Sequence, residues 1–172
     1  MKVIGIAGWS GAGKTTLLMR VIPRLTARGL RVSTLKHAHH AFEIDQPGKD
    51  SHTHRVAGAT EVLISSANRF ALMHELRGEP EWTLHALLAK LSPVDLVLVE
   101  GFKREPHPKL EVFRAVVGKP MLHQDDPNIV AVASDGAVAA RVPVISLDDI
   151  EAIADILVGK AVPLDAALAR SA

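Results

Sequence analysis

The residues Gly8-Trp-Ser-Gly-Ala-Gly13-Lys14-Thr15 match the pattern G-x-x-x-x-G-K-[ST] at every fixed position. That spacing is a phosphate-holding device. Its glycines let the backbone curl until successive N–H groups face one anion, and the helix after it adds the positive end of its dipole. Lys14 would reach the β- and γ-phosphates, and the Thr15 hydroxyl would ligate Mg²⁺. Such a site needs a second carboxylate near the metal, at the carboxyl end of a neighbouring strand. Asp95-Leu-Val-Leu-Val-Glu100 offers two. Asp95 lies at the start of the run, the wrong end, so Glu100 is the expected metal and catalytic carboxylate.

Other polar residues would gather at the same edge. Lys36, His37, His39 and His40 come after a second strand and form either a solvated loop or a cationic lip for a second phosphorylated ligand or for transition-state charge. A histidine metal site drawing also on His52 and His54 is a third reading, although the chain has no cysteine and no helical i,i+4 histidine pair. Asp45 and Asp50 would orient an attacking water or touch Mg²⁺ through water, or stand as ordinary loop carboxylates. Lys103 and Arg104 leave the edge beside Glu100 and either meet the phosphates of nucleotide or substrate or form an exposed basic loop with no ligand. For the base, Ser134 and Asp135 close a late apolar run. An Asp there would accept from guanine N1–H and its exocyclic amine, although no Lys stands two residues before it. No arginine stands out as a finger for the phosphates. Intrinsic hydrolysis should therefore be slow, and Arg69, Arg77 and Arg104 are too scattered to form the arginine-rich lid of a small-molecule kinase.

These groups need particular elements to hold them. Residues 3–7 form a short apolar run that reads as a buried strand. Leu17, Leu18, Val21, Ile22 and Leu25 then cover one face of a helix over 14–28, stopped at Gly29. Residues 30–35 read as a second strand, which makes a right-handed βαβ unit. A polar loop and a short helix over 50–57 come next. Residues 61–65 and 69–74 read as a hairpin. The pattern predicts a helix over 80–91 and a strand over 95–100, apolar without alternation as a strand covered on both faces should be. Further strands are expected over 110–117, 129–133 and 142–146. Asp148 should cap a closing helix to about 158, and 160–172 is Ala-rich with no clear partner. The whole reads as one α/β domain with a mostly parallel, phosphate-loop-type sheet flanked by helices and an added hairpin.

The chain has 172 residues, 48% of them hydrophobic, enough for a full core. No apolar run approaches the roughly 18 residues that cross a bilayer, and the first core strand leaves no room for a signal peptide. A cytoplasmic protein is expected, with no membrane partner. A net charge of +1 and 3% aromatic residues give no nucleic-acid footprint.

Taken in order, Gly-Trp-Ser-Gly-Ala-Gly-Lys-Thr-Thr-Leu, Lys36-His-Ala-His-His, Asp45-Gln-Pro-Gly-Lys-Asp-Ser51, His54-Arg-Val-Ala-Gly-Ala59 and Leu98-Val-Glu-Gly-Phe-Lys103 closely resemble the molybdopterin-guanine dinucleotide biosynthesis protein B (MobB) family. The resemblance covers roughly residues 1–155. It implies a GTP-binding adaptor working beside the guanylyltransferase that attaches GMP to molybdopterin. It further implies Mg²⁺ dependence, weak GTP hydrolysis and a homodimer sharing strands, for which the hairpin over 61–74 would serve. Carried onto this chain, the phosphate-loop residues are Gly11, Ala12, Gly13, Lys14, Thr15 and Thr16, and Glu100 is the acidic residue of the second motif. Two alternatives of other classes remain at this point: a small-molecule kinase and a histidine-rich metallochaperone GTPase.

Overall fold

The computed structural model describes residues 1–38 and 42–168, so His39 and His40 lie outside the described residues. Two compact units result, Met1–His37 with the chain from Leu84 onward, and Ala38–Thr83.

The first unit is built on a parallel sheet. Its strands are β1 (Lys2–Ala7), β2 (Val32–Lys36), β5 (Leu96–Glu100), β6 (Lys109–Phe113), β7 (Ile129–Ser134) and β8 (Val144–Ser146), in the order β2-β5-β1-β6-β7-β8. Helix α1 (Lys14–Ala27) returns the chain from β1 to β2, as the apolar spacing predicts, and its Leu17, Leu18, Val21 and Leu25 are buried. They pack with Ile4, Ile6, Leu98, Leu110 and Val112 from one face of the sheet, together with Ile153 and Leu157 of α4 (Ile150–Lys160). On the other face Val3, Val97 and Val99 meet Leu84 and Leu88 of α3 (Leu84–Leu88). β1 and β5 are therefore covered on both sides, which explains why neither alternates.

Several boundaries differ from expectation. α3 is one short turn instead of a helix over 80–91. Leu84 and Leu88 supply its buried contacts, and beyond them the chain tightens into i→i+3 hydrogen bonds from Lys90 to Leu87 and Leu91 to Leu88 before Pro93. The strand expected over 110–117 stops at Phe113, and a 3₁₀ turn over Ala115–Val117 leaves Val116 exposed. The cap of α4 is Asp149, whose carboxylate accepts from Ala152 N–H at 3.0 Å; Asp148 pairs instead with Arg20 at 3.0 Å. The Ala-rich tail does find a partner. β9 (Val162–Pro163) pairs antiparallel with Lys2 and Val3 of β1, and Ala167 of α5 (Leu164–Leu168) is buried against Val3 and its neighbours. It fills the side of β1 that β6 leaves open, because β6 begins its pairing only at Gly5.

The second unit holds α2 (Asp50–Val56) and a hairpin of β3 (Glu61–Ser65) and β4 (Phe70–His74), both as expected. Val62 and Met73 are buried on one side of the hairpin, whereas the cross-strand neighbours Leu63 and Leu72, with Phe70, are exposed on the other. No helix among the described residues is long and apolar enough to cross a membrane.

One face of β6 buries charge. Lys109 donates to the Glu105 carbonyl and to Asp126 at 3.0 Å, and Glu111 accepts from the backbone N–H groups of Leu122 at 2.6 Å and His123 at 3.0 Å. His107, equally buried, has no hydrogen-bond partner among the described residues for either ring nitrogen. Burial, and then the Lys109 ammonium, lower its pKa from 6.5 to about 4, with Asp126 opposing. The unfolded chain thus takes up a proton near pH 6.5 that the folded chain refuses until near pH 4. The contribution of this one group to stability should be complete above pH 6.5, fall as pH drops toward 4 and level off below, a loss on the order of 3 kcal/mol. Denaturant unfolding across this window should show the decline in the native chain and a flatter profile in His107→Asn; equal profiles would contradict it.

Candidate nucleotide-binding site

The phosphate loop joins a buried strand, paired on both edges, to a helix that starts without a side-chain cap. Gly13 is the N-cap residue and offers no side chain to the helix. The first intrahelical bond runs from Leu17 N–H to the Gly13 carbonyl at 2.9 Å. The N–H groups of Gly13, Lys14, Thr15 and Thr16 therefore precede any intrahelical acceptor, the condition that makes a helix start an anion site. The loop also braces itself. Ala12 N–H bonds the Trp9 carbonyl at 3.1 Å, and the Lys14 ammonium turns back onto the carbonyls of Gly8 at 3.0 Å and Trp9 at 3.1 Å. Burial lowers the Lys14 pKa; Glu100 pulls it up, while Lys103 and Lys36 push it down.

That influence reflects the layout of the sheet edge. β5 lies directly between β1 and β2, with Glu100 opposite both Ile6 and Lys36 in register. Glu100 thus ends beside the loop, as its position in the motif implies, with its side chain 12% exposed and 3.9 Å from the Lys36 ammonium. Asp95, at the opposite end, is held by Arg31. After Glu100 the backbone turns sharply, with Gly101 at φ 96° and Phe102 at φ 47°. A Cβ on Gly101 would stand 2.7 Å from that of His37, whose own N–H bonds the Glu100 carbonyl at 2.9 Å. The chain ends of β2 and β5 are therefore clamped together. A bulky residue at positive φ is strained, a feature that collects at functional sites. The turn delivers Lys103 to the loop, where its ammonium lies 4.6 Å from the Trp9 ring centroid. Trp9 in turn donates from Nε1 to the Pro120 carbonyl at 2.8 Å.

On the other side of β1 the edge continues into β6 and β7. Ser134 is buried and its hydroxyl accepts from Gly136 N–H at 3.2 Å, so it shapes the turn that presents the exposed Asp135. Asp135 Oδ2 is 3.5 Å from an arginine the motifs do not single out, Arg114. The guanidinium of Arg114 also lies against Gly13. Its signal is hidden because a strand read through residue 117 makes Arg114 an interior position instead of the first residue past the edge.

Asp45 belongs to the second unit. There it is buried and receives both arms of Arg55, Nε and Nη2 each at 2.9 Å. That bidentate bond, together with the Arg55 charge, holds its carboxyl below the usual range. Among the described residues no group of three or more His, Asp or Glu side chains is placed to hold a metal ion.

Comparison with known proteins gives this arrangement a lineage. The adapter protein of molybdopterin-guanine dinucleotide biosynthesis from Escherichia coli (strain K12) is 43% identical over 159 residues, covering 91% of either chain. Its namesake from Haemophilus influenzae (strain ATCC 51907 / DSM 11121 / KW20 / Rd) is 39% identical over 155 residues, 90% of this chain and 86% of that one. A crystal structure of molybdopterin-guanine biosynthesis protein B superposes with a TM-score of 0.70 at 28% identity, over 91% of this chain and 98% of the other. The MobB homologue from Bacillus stearothermophilus gives 0.66 at 28% identity, over 91% and 95%. The family model described as molybdopterin guanine dinucleotide synthesis protein B matches residues 3–135, from the first residues of β1 to Asp135, and the chain belongs to that family.

Proposed function

We propose that this chain is a guanine-nucleotide-binding adapter in the biosynthesis of molybdopterin-guanine dinucleotide. The observation that carries the reading is the uncapped start of α1 beside Glu100: four N–H groups, the Lys14 ammonium and one carboxylate at a single sheet edge. Gly11, Ala12, Gly13, Lys14, Thr15 and Thr16 would cradle the phosphates of GTP. Lys36 and Lys103 stand near enough to influence Lys14 and add to the positive field. Asp135, presented by the Ser134 turn, would accept from the guanine edge.

Thr15 and Glu100 would hold Mg²⁺. A hydroxyl and a carboxylate are hard oxygen donors of the type that ion takes, and phosphate oxygens and water complete such a set. The ion would neutralise phosphate charge. Asp45 is retained as a candidate to orient water, a role in which it would act from its bond to Arg55.

The names borne by the relatives support an adapter role over the kinase and metallochaperone alternatives. Its partners would be the guanylyltransferase that joins GMP to molybdopterin, and molybdopterin itself, in the cytoplasm. A homodimer is the proposed state, with the exposed Leu63, Phe70 and Leu72 of the hairpin, Phe70 at 72% exposure, as the surface to be covered.

Competition between GTP and ATP with Mg²⁺ tests the reading. GTP should bind in preference, Asp135→Ala should erase the preference, and Lys14→Ala should weaken both nucleotides. Equal affinity in the native chain would remove the guanine assignment. Phosphate release by the isolated protein should be slow, on the order of 10⁻² per second or below, as in nucleotide switches that wait for a partner. Turnover of many per second would instead mark a self-sufficient hydrolase.

A further inference from the structure

We propose that Arg114 is a specificity-determining positioning residue, which fixes Asp135 against the phosphate loop and so lets the site tell guanine from adenine. The inference rests on the guanine reading above and deepens it. β6 lies between β1 and β7, and Phe113 is paired in register with Ser134. The next residues along, Arg114 and Asp135, therefore leave the sheet edge level with one another. The edge thus places Arg114 between the phosphate loop after β1 and the acidic turn after β7.

Its contacts run to both. Nη1 lies 3.5 Å from Asp135 Oδ2. Toward the loop, a Cβ built on Gly13 would stand 3.3 Å from Nε and 3.7 Å from Nη2. Gly13 has φ 95°, so this position favours glycine for its backbone as well as for the room it leaves. The guanidinium can lie against the loop because residue 13 has no side chain. Meanwhile the Nε–H is covered and has no acceptor among the described residues. A covered donor without a partner calls for an explanation, and a role at the site is one.

Base chemistry supplies that account. Guanine offers two donors side by side, N1–H and the exocyclic amine, to a carboxylate lying in its plane. Adenine has an acceptor at N1, so the same carboxylate opposes it. An exposed aspartate samples several rotamers, and discrimination needs one of them. A cation on one oxygen selects it and leaves the other directed outward. In the Asn/Thr-Lys-x-Asp form of guanine motif a lysine precedes the aspartate by two residues, where this chain has Ala133. Here the cation comes from the neighbouring strand.

The experiment measures affinity for GTP, ATP and inorganic tripolyphosphate in the native chain, Arg114→Ala, Arg114→Gln, Arg114→Lys, Asp135→Ala and the Arg114→Ala/Asp135→Ala double variant. Thermal unfolding checks that each is folded, and Arg114→Gln serves if Arg114→Ala is not. The preference for GTP over ATP should fall roughly two- to fivefold in Arg114→Ala, the scale of a partly exposed ion pair. Tripolyphosphate affinity should be kept, and Arg114→Lys should restore part of the preference. The double variant should discriminate no worse than Asp135→Ala alone, since both act through one group. A preference retained in folded Arg114→Ala or Arg114→Gln overturns the proposal. Equal weakening of GTP, ATP and tripolyphosphate also overturns it, making Arg114 a phosphate ligand. A native chain that does not discriminate removes the guanine reading itself, a result visible before any variant is made.

Discussion

An anion site made of backbone N–H groups works only if the backbone cannot retreat from the charge it is meant to hold. Here that rigidity comes from β1, which is paired on both edges and covered on both faces. β5 holds one edge along its length, while β6 and β9 divide the other between them. Val3, Ile4, Ile6 and Ala7 are all essentially inaccessible. The loop therefore leaves from a fixed point, and α1 returns to the same core through Leu17, Val21 and Leu25.

The same strand order distributes the chemistry. Because β5 and β6 flank β1, the segment leaving the end of each lies beside the loop: Glu100 and the Gly101–Phe102 turn on one side, Arg114 on the other. Asp135 is one strand further out. The charged groups are thus divided along one edge, with Glu100 and two lysines on the β5 side and Asp135 with Arg114 on the β7 side. The buried polar face of β6 serves this layout as well. Glu111 caps the backbone of Leu122 and His123, which fixes the segment whose Pro120 carbonyl holds the Trp9 indole. A buried carboxylate is costly unless satisfied, and here both oxygens receive N–H donors. Position 9 of the phosphate loop is thereby tied to the connection between β6 and β7.

Much of this layout is legible in the sequence. The phosphate loop, β1, α1, β5 and Glu100 carry local signals: a fixed motif, a 3.6-residue apolar period, and an unbroken apolar run. The hairpin is equally plain, with two apolar runs about a short polar turn. Where sequence and structure part, the local signal is weaker than the tertiary one. Asp148 and Asp149 are both acceptable caps; in the fold Asp149 takes the helix N–H while Asp148 faces Arg20. Residues 84–91 carry leucines at helical spacing, yet only Leu84 and Leu88 have a core to enter deeply. The tail has no visible partner in the sequence because its partner, the lower edge of β1, is more than 150 residues away.

The sequence alone determined that a turn of phosphate-loop pattern joins a buried strand to an amphipathic helix, and that an acidic residue closes a second buried strand. Those facts are local, and short-range sterics and periodicity are enough to impose them. Which strands became neighbours was decided only by the tertiary structure, because pairing order depends on the best burial of all faces at once. That decision put Glu100 beside the loop and brought Arg114 against Gly13 and Asp135. It also placed Asp45 in the grip of Arg55 in a separate unit.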